Sequence, residues 1–312
     1  MLSLGDGIYC VDSFYERENN ACIYIISSEG KACIVETATN SSKEYLDAAL
    51  NELGISCENV EFLALTHVHL DHAGGAGSYM RDYPQAKLVV HPRGSRHMAD
   101  PSKLIAGVCE VYGREETARM YGEILPIDSA KIISAEDGYT FTVGKKKIIT
   151  VETPGHAKHH NAYYDQSCGA LFSGDAFGIS YPEMTVEKGR WLIPTTSPVQ
   201  FDPEDMAASI DKICAMNPKK ILMTHFGELL NIEDCARQLR LRLAEYLEIT
   251  EKCKGDYEKI KTEIRLLHIS LCRRYGIVDP ISYTDDFLEV DTRLNSQGLA
   301  YWYSSIKGKT VV

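Results

Sequence analysis

The chain has 312 residues, 44% of them hydrophobic, enough for one large domain with an appendage or two modest ones and for a core that needs no staples. Its formal net charge is −11 with acidic residues spread along its length, an arrangement that repels phosphate backbones and argues against nucleic acid as a partner. The first ten residues carry neither a basic n-region nor an apolar h-region, and no apolar run approaches bilayer-spanning length, so the expectation is a soluble cytoplasmic protein with no membrane partner.

The opening segment reads as short strands in hairpins: Ile8 to Val11, Cys22 to Ile26 and Cys33 to Val35, with Ser27-Ser28-Glu29-Gly30 as a turn. Ser41 or Ser42 can cap a helix whose apolar face is Leu46, Ala49, Leu50 and Leu53, stopped by Gly54. Val60 to Thr66 is a compact apolar strand, Ala86 to His91 another, and a mostly helical insertion runs from Arg93 to Gly122. Strands resume at Lys131 to Ile133, Lys146 to Val151, Ala170 to Ser173 and Lys220 to Met223, the last preceded by a helix over Pro203 to Met216. Strands with interspersed helices predict an α/β protein whose sheets carry helices on their outer faces.

From Asn231 the character changes. Ala236, Leu239, Leu243 and Tyr246 form one helical stripe, and Tyr257, Ile260, Ile264, Leu267, Leu271 and Tyr275 form a second; a third helix is expected around Leu294 to Ile306. The predicted organisation is a catalytic domain over 1–230, containing the helical insertion at about 93–122, followed by a helical appendage over 231–312. The ten cysteines include no C-x-x-C pair, and in a long chain without a signal they predict reduced, mostly buried thiols.

The chemistry lies at the ends of the predicted strands. Thr66-His67-Val68-His69-Leu70-Asp71-His72 follows one strand, Thr153-Pro154-Gly155-His156 another, Asp175 ends a third and His225 a fourth. Strand ends are rigid, so loops leaving them can aim side chains at one point. Imidazole and carboxylate together suit zinc and other first-row ions, and a catalytic ion needs about three protein ligands with a position left for water. His67, His69 and His156 can hold one metal, Asp71, His72 and His225 a second, with Asp175 bridging both. Water shared between two such ions is acidified toward hydroxide, a nucleophile that needs no protein base; Asp71 and Asp175 are the carboxylates placed to serve it. A lone H-x-H arises by chance, but H-x-H-x-D-H, T-P-G-H, S-G-D and T-H in order, each after a strand, does not.

At these residues the chain resembles the metallo-β-lactamase superfamily, including glyoxalase-II-like thioesterases and lactonases; the resemblance covers Gly7 to Gly227, with Asn20 to Tyr24 and Ile34 to Thr37 similar to the family's opening strands. It implies an αββα sandwich with metals at one edge and the same ligand assignment. His91-Pro92-Arg93-Gly94-Ser95-Arg96-His97 resembles a stretch found in a subgroup of prokaryotic hydrolases, and the tail resembles those of glyoxalase II and a quorum-sensing-associated thioesterase, whose terminal helices cover the active site. Where the family often has Asp-Thr-Gly this chain has Glu36-Thr37-Ala38, a loop-supporting rather than ligating position. The full ligand set argues against the flavin-linked diiron branch and the single-iron persulfide branch.

Outside the ligands, His159 and His160 are equally compatible with orienting a ligand and with an exposed pair, and the His91 to His97 stretch with anion binding and with ordinary helix-start charges. Tyr181 and Glu183, in the loop after Asp175, are candidate substrate contacts, as are Tyr283 and Phe287 of the tail, free to line a cavity mouth; His268 is expected to be structural. The reading is a hydrolase carrying two divalent ions, zinc first and iron or manganese as alternatives, acting on a small-molecule ester-like bond, thioester or carboxyl ester before lactone or phosphodiester. A metal-retaining binding or regulatory protein with low turnover is the competing class, and a homodimer is left open.

Overall fold

The computed structural model describes residues 1–187 and 189–307, with the side chain of residue 111 outside the description. By packing, the chain divides into two compact units. The first comprises Met1–Glu152, His159–Gly174 and Asn217–Leu230; the second comprises Thr153–Lys158, Asp175–Met216 and Asn231–Val312.

Both large sheets belong to the first unit. Strands β1 (Leu2–Ser3), β2 (Ile8–Asp12), β3 (Cys22–Ser28), β4 (Lys31–Val35), β5 (Val60–Ala64), β6 (Lys87–Val90) and β7 (Ile132–Ser134) lie side by side in chain order. β1 to β4 are antiparallel neighbours, and β4 to β7 run parallel. Each parallel step needs a crossover. Helix α1 (Lys43–Glu52) supplies the first, α2 (Leu70–Ala73) with α3 (Ala76–Asp82) the second, and α4 (Pro92–Ala99), α5 (Ser102–Tyr112) and α6 (Arg114–Tyr121) the third. The last three fill the helical insertion expected from the sequence.

The second sheet has β8 (Thr140–Val143), β9 (Lys146–Glu152), β10 (Asn161–Asp165), β11 (Ala170–Gly174), β14 (Lys220–Met223) and β15 (Gly227–Leu229), ordered β15-β14-β11-β10-β9-β8. Only the β11–β14 pair is parallel. The two-residue side-chain period explains the layers. Along β3 and β4, Tyr24, Ile26, Cys33 and Val35 join Phe141, Ile148, Tyr163, Phe172 and Leu222 of the second sheet in one core. Their neighbours Ile23, Ile25, Ala32 and Ile34 turn the other way and pack with Leu46, Leu50, Tyr79, Met80 and Met98 from the helices. A strand buried on both faces is apolar throughout, as β3 is from Cys22 to Ile26.

The second unit is mostly helical: α7 (Pro203–Ala215), α8 (Ile232–Lys252), α9 (Tyr257–Tyr275), α10 (Pro280–Ser282) running into a π-turn at Tyr283–Phe287, and α11 (Glu289–Lys307), with a small hairpin of β12 (Thr185–Val186) and β13 (Gly189–Arg190). Ile179, Tyr181, Met184, Trp191 and Ile193, from the segment after Asp175, share an apolar cluster with Leu271, Cys272 and Leu288 of the tail. This unit therefore joins the tail to a segment far earlier in the chain. No helix among the described residues is long and apolar enough to cross a membrane. The cysteines are free thiols, with Cys57 exposed and Cys10, Cys22, Cys33, Cys235, Cys253 and Cys272 buried.

Candidate metal centre

Five of the expected ligands sit in the first unit. His67 and His69 follow β5, Asp71 and His72 lie in the single turn of α2, and His225 follows β14. The ligand atoms of Asp71, His72 and His225 lie within 4.8 Å of one another. His225 Nε2 stands 3.4 Å and His72 Nε2 3.6 Å from Asp71 Oδ2. Donors about 2.0–2.2 Å from a tetrahedral ion are separated by roughly 3.3–3.6 Å, so the arrangement fits one such cation with a coordination position to spare. His67 Nε2 and His69 Nδ1 face each other at 2.9 Å, closer than that edge.

The outer ring atoms are held as well. His72 Nδ1 lies 3.1 Å from Glu36 Oε1, and His225 Nδ1 lies 2.7 Å from the Asn20 carbonyl oxygen, into which it donates. Occupying Nδ1 in this way directs Nε2 inward and sets the tautomer a metal requires. Glu36 is 1% exposed and also accepts from the Thr66 N–H at 3.3 Å, the Thr66 hydroxyl, and the Thr224 hydroxyl at 3.3 Å. It thereby links the loops that carry His67, His72 and His225. Burial pushes the Asp71 carboxyl up, but the neighbouring His72, the hydrogen bond and charge of His225, and His69 outweigh it and hold Asp71 well below the usual carboxylate range. Asp71 is therefore ionised at neutral pH.

His159 and His160 are both buried, so the structure takes them off the surface. The His160 ring stacks with His67 at 5.0 Å between centroids, and His159 Nδ1 lies 3.5 Å from the Val68 N–H. Gly174 explains part of the tight fit: a Cβ there would meet Thr66 Oγ1 at 2.4 Å and His160 Nε2 at 2.7 Å. His91 has a local task, capping α4 by accepting from the Arg93 N–H at 3.0 Å while its Nε2 meets Glu152 at 3.1 Å.

The remaining two ligands, His156 and Asp175, belong to the second unit, where His156 Nε2 and Asp175 Oδ2 are 3.4 Å apart, again the edge of a tetrahedral site. His156 Nδ1 donates to the Thr195 carbonyl oxygen at 3.2 Å and contacts the Thr195 hydroxyl, which also reaches Asp175 Oδ2 at 3.4 Å. Gly155 brings His156 close to α7: its φ is +127°, and a Cβ there would meet the Met206 backbone N at 2.4 Å. The neighbouring Thr196 is clasped by the tail, its N–H donating to Asn295 Oδ1 at 2.6 Å and its hydroxyl to the Asn295 carbonyl oxygen at 2.8 Å.

The expected substrate contacts are more engaged than the sequence suggested. Tyr181 is 4% exposed, donates to Asp291 Oδ1 at 3.1 Å and meets the Phe287 ring edge-on at 5.4 Å. Phe287 in turn packs on Tyr283 at 4.7 Å, and both pack against the apolar cluster of the tail. Glu183 stands exposed on the turn Pro182–Met184.

Glu36, Thr195, Tyr15 and Tyr121 went unrecognised in the sequence as site residues. Tyr15 and Tyr121 join hydroxyl to hydroxyl at 3.0 Å, and burial together with the Asp71 charge pushes both phenols well above their ordinary range. They stay protonated, and because one hydroxyl donates to the other, the pair leaves one O–H donor. No spacing in the sequence announces such partners.

A family model described as the metallo-beta-lactamase superfamily matches residues 17–225. The chain is 26% identical over 184 residues to acyl-coenzyme A thioesterase MBLAC2 of Bos taurus, covering 55% of this chain and 64% of that protein. It is 23% identical over 289 residues to a hydroxyacylglutathione hydrolase of Yersinia pseudotuberculosis, covering 88% and 94% respectively. The solved structure of the metallo-beta-lactamase family protein TTHA1429 from Thermus thermophilus superposes with a TM-score of 0.64 at 21% identity, over 98% of this chain and 95% of that one. The likeness is one of fold: two mixed sheets flanked by helices, with helices at the C-terminus.

Proposed function

Because the chain belongs to the metallo-β-lactamase superfamily, we propose that it is a binuclear metal-dependent hydrolase of an ester-like bond, with thioester or carboxyl ester ahead of lactone and phosphodiester. In this reading His67, His69 and His156 hold one divalent ion, Asp71, His72 and His225 the other, and Asp175 is shared. When bound, the ions supply Lewis acidity toward a carbonyl oxygen and lower the pKa of water toward neutrality.

The observation that carries the reading is the Asp71, His72 and His225 group, whose donors converge within 4.8 Å while Glu36 and Asn20 hold the outer ring nitrogens. A carboxylate kept ionised among imidazoles whose tautomers are set is a built ligand set, not a chance cluster. The all-N/O donors suit zinc first, with iron or manganese as alternatives. The protonated Tyr15 and Tyr121 pair, in which one hydroxyl donates to the other, leaves one neutral O–H donor for orienting a polar substrate group. The names of two relatives, an acyl-coenzyme A thioesterase and a hydroxyacylglutathione hydrolase, favour a thioester.

The test is an assay of fully metallated protein against acyl-CoA, lactoylglutathione, a lactone and a phosphodiester. Thioester cleavage outrunning the others by at least about tenfold is expected. A lactone-first ranking would make the protein a lactonase, and no turnover on any of the four would make it a metal-retaining binding protein.

A further inference from the structure

Away from the His and Asp donors, the second unit encloses a cavity of about 120 Å³ walled by Trp191, Arg237, Gln238, Arg242, Arg274 and Tyr275. Three guanidinium groups around one small cavity are unusual in a chain of net charge −11. Two acidic side chains lie among them: Asp234, which itself lines the cavity, accepts from Arg237, and Glu245 Oε2 meets Arg242 Nε at 3.0 Å. Arg242 is only 4% exposed. Burial lowers its guanidinium below the ordinary arginine value, and the charge of Arg274 adds to that effect against the pull of Glu245.

The second observation is Trp191. It is 1% exposed, its ring stacks with Tyr275 at 5.7 Å, and its Nε1 has no hydrogen-bond partner among the described residues. Buried indole N–H groups normally find an acceptor. Gln238, on the same cavity wall, does not fill that role, because its Oε1 already accepts from the Leu192 N–H at 3.3 Å and the Tyr275 hydroxyl at 3.2 Å. A desolvated arginine with others beside it, and an indole donor lacking an acceptor, call for the same missing thing: an anion with several acceptor oxygens.

We propose that this cavity is a binding site for one tetrahedral oxyanion, orthophosphate or the phosphate group of a small metabolite, with Arg242, Arg274 and the Trp191 N–H as its donors. The volume far exceeds the roughly 10–15 Å³ that holds one water and falls below the ~300 Å³ at which pockets for drug-sized ligands begin, so a single phosphate group fits and a nucleotide does not. The site is separate from the proposed hydrolytic centre and stands whether or not that assignment holds.

The chain has two tryptophans, so Trp302→Phe leaves Trp191 as the sole indole reporter. Titration of that protein with sodium phosphate at constant ionic strength, with chloride as the balancing anion, is expected to give a saturable change in Trp191 emission. Arg274 is exposed, so Arg274→Gln tests the site with little risk to the fold, and it is expected to weaken the response at least tenfold while leaving the melting temperature unchanged. A parallel titration with glycerol 3-phosphate separates the two sources: tighter binding than orthophosphate assigns the site to a phosphorylated metabolite, equal or weaker binding to the free ion. No saturable response to either probe, or an unshifted midpoint in Arg274→Gln, which would place the anion elsewhere on the protein, would overturn the proposal.

Discussion

The two groups of candidate ligands are built differently. Asp71, His72 and His225 leave the ends of sheet strands or the turn beside them, and their outer contacts are a buried carboxylate, Glu36, and the Asn20 main chain. His156 and Asp175 lean on Thr195, a neutral residue in an irregular segment, and its neighbour Thr196 is secured by Asn295 from the tail. The first group owes its geometry to the sheets and a charge; the second owes it to neutral hydrogen bonds and to a helix more than a hundred residues away in sequence. The tail therefore has a stake in the donor set.

The largest effect should come from the ligand assigned to both ions. Asp175→Asn is expected to lower metal content from two ions toward one or none and turnover by about 10³-fold or more, beyond the 10–100-fold typical of outer partners. Two tightly held ions and full activity in that variant would end the bridging assignment.

Acid should then act on the unit that carries His156 and Asp175. His268 is buried against Tyr246 and Thr292, and burial, aided by the charge of Arg242, lowers its pKa to about 3. The folded protein keeps this ring neutral while the unfolded chain protonates near pH 6.5. Its contribution to stability is therefore complete above about pH 6.5 and is lost progressively as the pH falls toward 3, on the order of 3 kcal/mol by pH 4. His268→Gln should flatten that part of the stability profile in denaturant titrations between pH 7 and 4; an unchanged slope would show that the ring does not stay neutral.

Next in size is the outer contact of the first group. Glu36→Gln is expected to weaken metal affinity about 10–100-fold, measured by competition with a chelator, because His72 and the Thr66 loop lose a charged acceptor. The smallest effect is reserved for the clasp on the second group. Asn295→Ala should cost about 1 kcal/mol of stability and loosen one ion several-fold, leaving the ion at Asp71, His72 and His225 in place. If Glu36→Gln proved milder than Asn295→Ala, the contrast between a charged and a neutral support would be wrong.

Much of this is legible in the sequence, for a physical reason. Ligands at strand ends sit within or just after apolar runs that pattern marks clearly, so His67, His69, Asp71, His72, His156, Asp175 and His225 can be picked out by order and context. Their supports cannot. Thr195 lies 39 residues after His156 and Asn20 lies 205 before His225, so only the fold brings them together. Glu36 was visible as a departure from the family's usual residue, but its reach to Thr66, His72 and Thr224 was not. Strand β10, Asn-Ala-Tyr-Tyr-Asp, escaped notice because polar residues end it, though four of its five residues are buried in the sheet. Position after a ligand marks Tyr181 as a candidate contact, and the complete stripes of the tail helices mark Tyr283 and Phe287, but no pattern shows that Tyr181 sits in the tail's apolar cluster or that the π-turn at Tyr283–Phe287 packs the other two rings against it.

The central claim, two ions on two separately supported donor groups, is tested most directly by elemental analysis of gently purified protein alongside His225→Ala. Two ions per chain are expected in the unaltered protein and one in the variant, with the remaining ion held by the other donors. One ion or none at full occupancy in the unaltered protein, or two retained after loss of His225, would contradict it.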